Sequence, residues 1–94
     1  LQPGVIIGED TIINTGALID HDCLIGSHCH VAPGAVLSGG VRIGDGCHIG
    51  TAASVVQGVT IGAEALIAAG AVVVGDVPAG ARMAGVPARA MEMR

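Results

Sequence analysis

The sequence predicts an all-β fold: a triangular solenoid of short parallel strands, with three hexapeptides to each coil. Every sixth residue from Leu1 to Val73 is aliphatic, running through Ile7, Ile13, Ile19, Ile25, Val31, Leu37, Ile43, Ile49, Val55, Ile61 and Ile67 without a slip. A second column, four residues behind the first, is small or β-branched from Val5, Thr11 and Ala17 through to Ala65, Ala71 and Val77. Ile-Gly recurs at Ile7-Gly8, Ile25-Gly26, Ile43-Gly44 and Ile61-Gly62, eighteen residues apart. A helix repeats every 3.6 residues and a simple strand every 2, so neither keeps a six-residue period on one face. Short strands separated by corners do.

Each hexad then supplies one strand and one corner. The large and small columns point inward, and their alternation fills a narrow prism. The thirteen hexads from Leu1 to Pro78 make a little over four coils. Residues eighteen apart are expected to stack at about 4.8 Å, the spacing of paired strands. Glycines at the corners permit backbone angles that residues with a Cβ avoid. Residues 1–78 are read as the solenoid. Beyond Asp76 the repeat is broken by Pro78 and Pro87, and proline removes a ladder donor. Residues 79–94 are read as an irregular C-terminal cap, which an exposed solenoid end requires.

Composition fits a thin prism. The chain has 16 Gly and no Phe, Trp, Tyr or Lys. Aromatic rings dominate most globular cores, but here only aliphatic and small side chains have room. At 94 residues the chain is one domain, with no linker or low-complexity insert. No uninterrupted apolar run of about 20 residues marks a membrane span in this stretch, and no signal peptide is expected. The expected location is the cytoplasm. Leu1 is already in register without an initiator Met, which reads as the C-terminal part of a longer protein. A net charge of −4 and the lack of stacking aromatics disfavour nucleic acid as a partner.

The cysteines look reactive by type but structural by position. Cys23, Cys29 and Cys47 all fall in the small inward column, where free Cys behaves as a compact hydrophobe. Cys29 and Cys47 are expected to stack, but nothing indicates an oxidising compartment in which they would pair.

The four histidines fall on outward positions instead. His21 lies inside Asp20-His21-Asp22, with His28 and His30 close behind and His48 stacked one coil beyond His30. In a chain so poor in polar side chains, this clustering of His and Asp between residues 20 and 30 calls for a chemical reason. A carboxylate beside an imidazole raises its basicity and fixes its tautomer, as a general base near neutral pH requires. His21 is the first candidate base, with His48 and His28 behind it. A metal needs three converging ligands, and these histidines lie on different sides of the prism; His30 and His48 are the best-placed pair. His21 and His30 are half a coil apart. One chain therefore cannot close both around one reacting atom, and a site using both lies between two copies. A three-fold ring of such contacts closes on itself.

The hexad pattern, with Asn14-Thr15-Gly16, Asp20-His21-Asp22-Cys23, His30-Val31-Ala32-Pro33-Gly34 and the closing Ala84-Gly85-Val86-Pro87-Ala88-Arg89, resembles the left-handed parallel β-helix acyltransferases. Within them it is similar to the bacterial sugar O- and N-acetyltransferases of sialic acid and bacillosamine biosynthesis. The resemblance implies a left-handed coil, which spacing alone cannot supply and which opposes the usual right-handed crossover. It also implies a homotrimer holding acetyl-coenzyme A between neighbouring prisms, and transfer of acetyl to an amine or hydroxyl of a nucleotide-linked sugar without a metal. By position, His21 matches the general base and Asp22 the acidic residue that makes it more basic. His30, Thr51 and Ala69 match residues lining the acetyl-coenzyme A groove. Gly39 matches a backbone donor near the thioester, and Asn14 a position approached by the sugar.

Two features sit awkwardly with the resemblance. Family members carry an N-terminal nucleotide-sugar-binding subdomain, which is expected upstream of this stretch. The negative net charge, with only Arg42, Arg82, Arg89 and Arg94 as cations, is a poor field for a polyphosphate. Cofactor binding would then rest on backbone amides. Two other classes share a solenoid of this kind: a metal-dependent β-helix hydratase of the γ-carbonic-anhydrase type, and a structural or ice-binding solenoid. The latter would carry outward Thr ladders, which Thr11, Thr15, Thr51 and Thr60 do not make.

Overall fold

A computed structural model describes residues 2–91. Leu1, which heads the aliphatic column, and Glu92, Met93 and Arg94 at the end of the expected cap lie outside the described residues. Each coil contributes three two-residue strands: β1 (Ile6–Ile7), β2 (Ile12–Ile13) and β3 (Leu18–Ile19), then β4 (Leu24–Ile25), β5 (His30–Val31) and β6 (Val36–Leu37). The next coils supply β7 (Arg42–Ile43), β8 (His48–Ile49), β9 (Ser54–Val55), β10 (Thr60–Ile61), β11 (Leu66–Ile67) and β12 (Val72–Val73). Two further strands, β13 (Arg82–Ala84) and β14 (Arg89–Ala90), follow.

These strands stack into three parallel faces. The first is β1-β4-β7-β10, the second carries β2-β5-β8-β11, and the third is β3-β6-β9-β12. The register is the expected eighteen residues, with Ile6 opposite Leu24, Ile12 opposite His30 and Leu18 opposite Val36. The first corner joins the first face to the second, the second corner joins the second face to the third, and the third corner leads into the next coil.

Both inward columns form the core. From Ile19 to Val77 their members are 0–4% exposed, whereas Val5, Ile7, Ile13 and Ala17 of the first coil are only partly buried against it. The Cys23, Cys29 and Cys47 thiols are free and buried. They donate to the carbonyls of Ser38, Gly44 and Gly62 at 3.1–3.2 Å.

Two backbone demands shape the corners, and glycine meets each at a different place. The second residue of every corner from Gly4 to Gly70 has a positive φ, between 55° and 78°. Glycine suits this, but Asp10, Asp22, His28, Ala52 and Glu64 adopt it as well, at about 1 kcal/mol or more each. The Ile-Gly glycines serve close approach instead of backbone angle: a Cβ on Gly26 would lie 2.8 Å from the Asp45 nitrogen in the next coil.

The stretch beyond Pro78 is more regular than its sequence indicates. Val77 bridges Ile61, and β13 adds a rung to the second face, pairing Arg82 with Leu66. β14 then folds back antiparallel, with Met83 opposite Ala90.

Candidate active site

His21 and Asp22 form the third corner of the first coil, directly after β3 and Asp20. The Asp20 carboxylate accepts the His21 backbone N–H at 2.7 Å, which ties down the entry to the turn. The Asp22 N–H donates to the Pro3 carbonyl at 3.1 Å, and the His21 carbonyl accepts the Gly40 N–H at 3.0 Å. With the backbone held from both neighbouring coils, the side chains have a fixed origin. His21 Nδ1 lies 3.3 Å from Asp22 Oδ2, and the two side chains are 57% and 73% exposed. Asp22 accepts the Nδ1 proton, so the Nε2 lone pair is left for a substrate. That is the tautomer a base acting through Nε2 needs.

The neighbouring coil shapes itself to this ring. Gly39 stands eighteen residues after His21 in the same corner position, and a Cβ there would lie 2.7 Å from His21 Cε1 and 2.9 Å from Nε2. Gly4, one coil the other way, lies under the Asp22 carboxylate.

A second cluster lies on the opposite side of the prism. Asn14 opens the second corner after β2, and His30 projects from β5. The Asn14 amide nitrogen is 2.6 Å from His30 Nε2 and 3.2 Å from the Val31 carbonyl oxygen. A carbonyl accepts only from a donor, so the atom facing it is the NH₂ and His30 Nε2 is the acceptor. The neutral His30 ring therefore carries its proton on Nδ1. His48 sits against His30 with ring centroids 4.9 Å apart and a 54° tilt. Thr51 and Ala69 occupy the second corner in successive coils, joined by a 2.8 Å bond from the Gly70 N–H to the Thr51 carbonyl.

The structure thus brings together His21, Asp22 and Gly39 at one corner, and Asn14 with His30 beside the other. His21 and His30 stay on opposite sides of one chain, as their spacing required. The Asn14–His30 bond was not read from the sequence, where the two received different roles; their sixteen-residue separation falls just short of the stacking period. A third pair, His28 Nδ1 and Asp10 Oδ2, lies 3.5 Å apart on the first corner. Among the described residues, no group of three His, Cys, Asp or Glu side chains is placed to hold a metal ion.

Charge is sorted by edge. Among the described residues, Glu9, Asp10, Asp45 and Glu64 belong to the first corner, Asp20, Asp22 and Asp76 to the third, and no carboxylate to the second. Arg82 and Arg89 extend the second face, which lies between the first and second corners, at its C-terminal end. The net charge of −4 therefore hides one edge free of acidic side chains among the described residues. No helix among the described residues is long and apolar enough to cross a membrane.

Residues 2–39 and 40–75 match the bacterial transferase hexapeptide (six repeats) family. The chain belongs to that family, and its fold is the left-handed parallel β-helix. Among solved structures it is similar to the acetyltransferase domain of PglB from Neisseria gonorrhoeae, with 44% identity, a TM-score of 0.95, and coverage of 96% of this chain and 44% of that one. That domain is also known in complex with acetyl coenzyme A. It is similar as well to GDP-perosamine N-acetyl transferase from Caulobacter crescentus, a histidine-to-alanine mutant in complex with CoA and GDP-perosamine, with 43% identity, a TM-score of 0.98, and coverage of 99% and 44% of the two chains. The chain thus spans less than half the length of these structures. No match was found among curated proteins.

Proposed function

We propose that this protein is an acetyltransferase that moves the acetyl group of acetyl-coenzyme A to an amine or hydroxyl of a nucleotide-linked sugar. The observation that carries the proposal is the His21–Asp22 pair. Its ring nitrogens are differentiated by a 3.3 Å contact to carboxylate, and its side chains stand open to a substrate. His21 Nε2 takes the proton of the acceptor as the acceptor attacks the thioester carbonyl, while Asp22 stabilises the imidazolium that forms. General-base help of this kind contributes about 10²–10⁴-fold. The Gly39 N–H is assigned to the tetrahedral oxyanion, a stabilisation often larger than that from the base. The coenzyme A thiolate leaves as the tetrahedral intermediate collapses, and the imidazolium proton is given up to it.

His30, Thr51 and Ala69 line the donor groove in this reading, and Asn14 meets the sugar while holding His30. The second corner, without a carboxylate among the described residues, and the arginines Arg82 and Arg89 at the end of the second face suit a ligand that carries phosphates better than net charge alone indicates. The relatives support the reading: the PglB domain binds acetyl coenzyme A, and the perosamine enzyme is a histidine mutant bound to CoA and a nucleotide sugar.

The assembly proposed is a homotrimer in the cytoplasm, with the nucleotide-sugar-binding part upstream of this stretch. His21 and His30 can share one site only across two copies. Ile6, Ile12 and Leu18 are 56–64% exposed on a single chain, an apolar surface of the kind subunits cover. The test is an assay of the whole protein with acetyl-coenzyme A and a panel of nucleotide-linked amino sugars, following thiol release, alongside sedimentation equilibrium. Acetylated product from a trimer is expected. A monomer at micromolar concentration, or no transfer to any acceptor, defeats the proposal.

A further inference from the structure

We infer that Gly39 is a positioning residue for the base, a seat whose missing side chain holds the His21 ring in the orientation that keeps Nδ1 on Asp22. The inference rests on the proposed role of His21 and adds to Gly39 a task separate from donating its N–H. The reason for glycine at this position is not backbone angle, because the positive φ belongs to the following residue, Gly40. Nor does the corner position exclude a side chain: Pro3, His21 and Gln57 occupy it in other coils. Glycine is needed at 39 because the volume of a Cβ there is already filled by the imidazole, 2.7 Å to Cε1, 2.9 Å to Nε2 and 3.3 Å to Nδ1. Contacts under 3.0 Å are closer than van der Waals packing allows, so a Cβ displaces the ring and not the backbone, which is held by the Gly40-to-His21 and Gly58-to-Gly39 hydrogen bonds at 3.0 Å. The ring that fills this seat is the one whose Nδ1 lies 3.3 Å from Asp22 Oδ2, so moving it off Gly39 alters that contact. The floor under Asp22 is glycine too, at Gly4, but its φ of +78° would strain any substitution; Gly39 is the clean probe.

The test is Gly39→Ala in the whole protein, read in two ways. Alanine keeps the backbone N–H, so an oxyanion role alone predicts little change. Displacement of the base by about 1 Å predicts a loss of kcat approaching a hundredfold with KM for acetyl-coenzyme A little altered. The substitution is also made in a His21→Ala background, where there is no ring to displace and no further loss is expected. Independently of activity, ¹⁵N chemical shifts of His21 report its tautomer. The Nδ1–H form is expected in the parent, and a shift toward the Nε2–H form preferred by an unconstrained histidine side chain is expected in Gly39→Ala. Unchanged ¹⁵N shifts and kcat in Gly39→Ala overturn the inference, as does an equal loss of kcat with and without His21. If instead His21→Ala remains active while Gly39→Ala still changes the tautomer, the seat stands and the base assignment falls.

Discussion

Two corners of this prism carry a histidine beside an aspartate, and their distances are nearly the same: 3.3 Å for His21 and Asp22, 3.5 Å for His28 and Asp10. What differs is the seat. His21 is the first residue of its corner and its ring fills the Cβ position of Gly39 in the next coil. His28 is the second residue of its corner, at a φ of 58°, and the glycine above it, Gly46, makes room for the Glu64 carboxylate instead, 2.5 Å from its Cβ position. The surroundings differ as well. Asp45 accepts the Ser27 N–H at 2.8 Å, and the His28 corner shares its edge with Glu9, Asp10, Asp45 and Glu64. Proximity of imidazole to carboxylate therefore does not by itself mark a base. In the proposed reading, the packing that fixes the ring does.

The largest effect expected from this contrast comes from removing each ring. His21→Ala is expected to lower kcat by about 10²–10⁴ while acetyl-coenzyme A still binds, since the base acts in the transition state. His28→Ala is expected to leave kcat near that of the parent. Steady-state kinetics and titration calorimetry on the whole protein check both. A near-normal kcat in His21→Ala with a collapse in His28→Ala would exchange the two assignments. Asp22→Asn, which keeps the shape but not the charge, is expected to cost less than His21→Ala.

A smaller effect is expected on the opposite side of the prism. Asn14 fixes the His30 tautomer through a 2.6 Å contact, and neither residue touches the proton being moved in the proposed chemistry. His30→Ala should therefore raise the KM for acetyl-coenzyme A more than it lowers kcat, and Asn14→Ala should follow it in the same direction. If both leave KM unchanged and depress kcat, the second cluster belongs to the chemical step and the contrast between the two sides fails.

The sequence disclosed the coil readily because two inward columns, such as Ile19 with Cys23 and Leu37 with Val41, repeat with one period from end to end. His21 was legible for a similar reason: a polar side chain on a prism this apolar is conspicuous. Other features depend on what stacks above and below. The role of Gly39 appears only once residues eighteen apart are placed together, and the positive φ of Ala52 and Glu64 has no trace in residue types that normally avoid it. Strands β13 and β14 carry no hexad. Their pairing is set by the open rung that β11 offers, a tertiary cause that local pattern does not encode. Net charge does not describe any one edge, because it averages over edges that the fold keeps apart.

The smallest effect expected tests the core beneath these corners. Cys23 packs below the His21 corner and Cys47 below the second face, and burial pushes both thiols above their ordinary range, with the Asp20 charge adding to the effect at Cys23 and the Cys29 thiol at Cys47. A thiol with a raised pKa in the folded state holds its proton to higher pH than the same thiol unfolded. Its contribution to stability is therefore complete below the ordinary thiol value of about 8.5 and is lost as pH climbs through the raised value. Thermal melts from neutral to alkaline pH should show Tm falling in that window. Replacing Cys23 and Cys47 with Ala should flatten the fall and cost about 1 kcal/mol per site at neutral pH, the loss of one packed sulfur and the small cavity left behind. Acetyl transfer should survive, because neither thiol reaches the surface at which the proposed reaction takes place. An unchanged alkaline slope would move its origin to other groups. Loss of turnover in the well-folded double variant would show that the core and the His21 corner are not separable in the way the comparison requires.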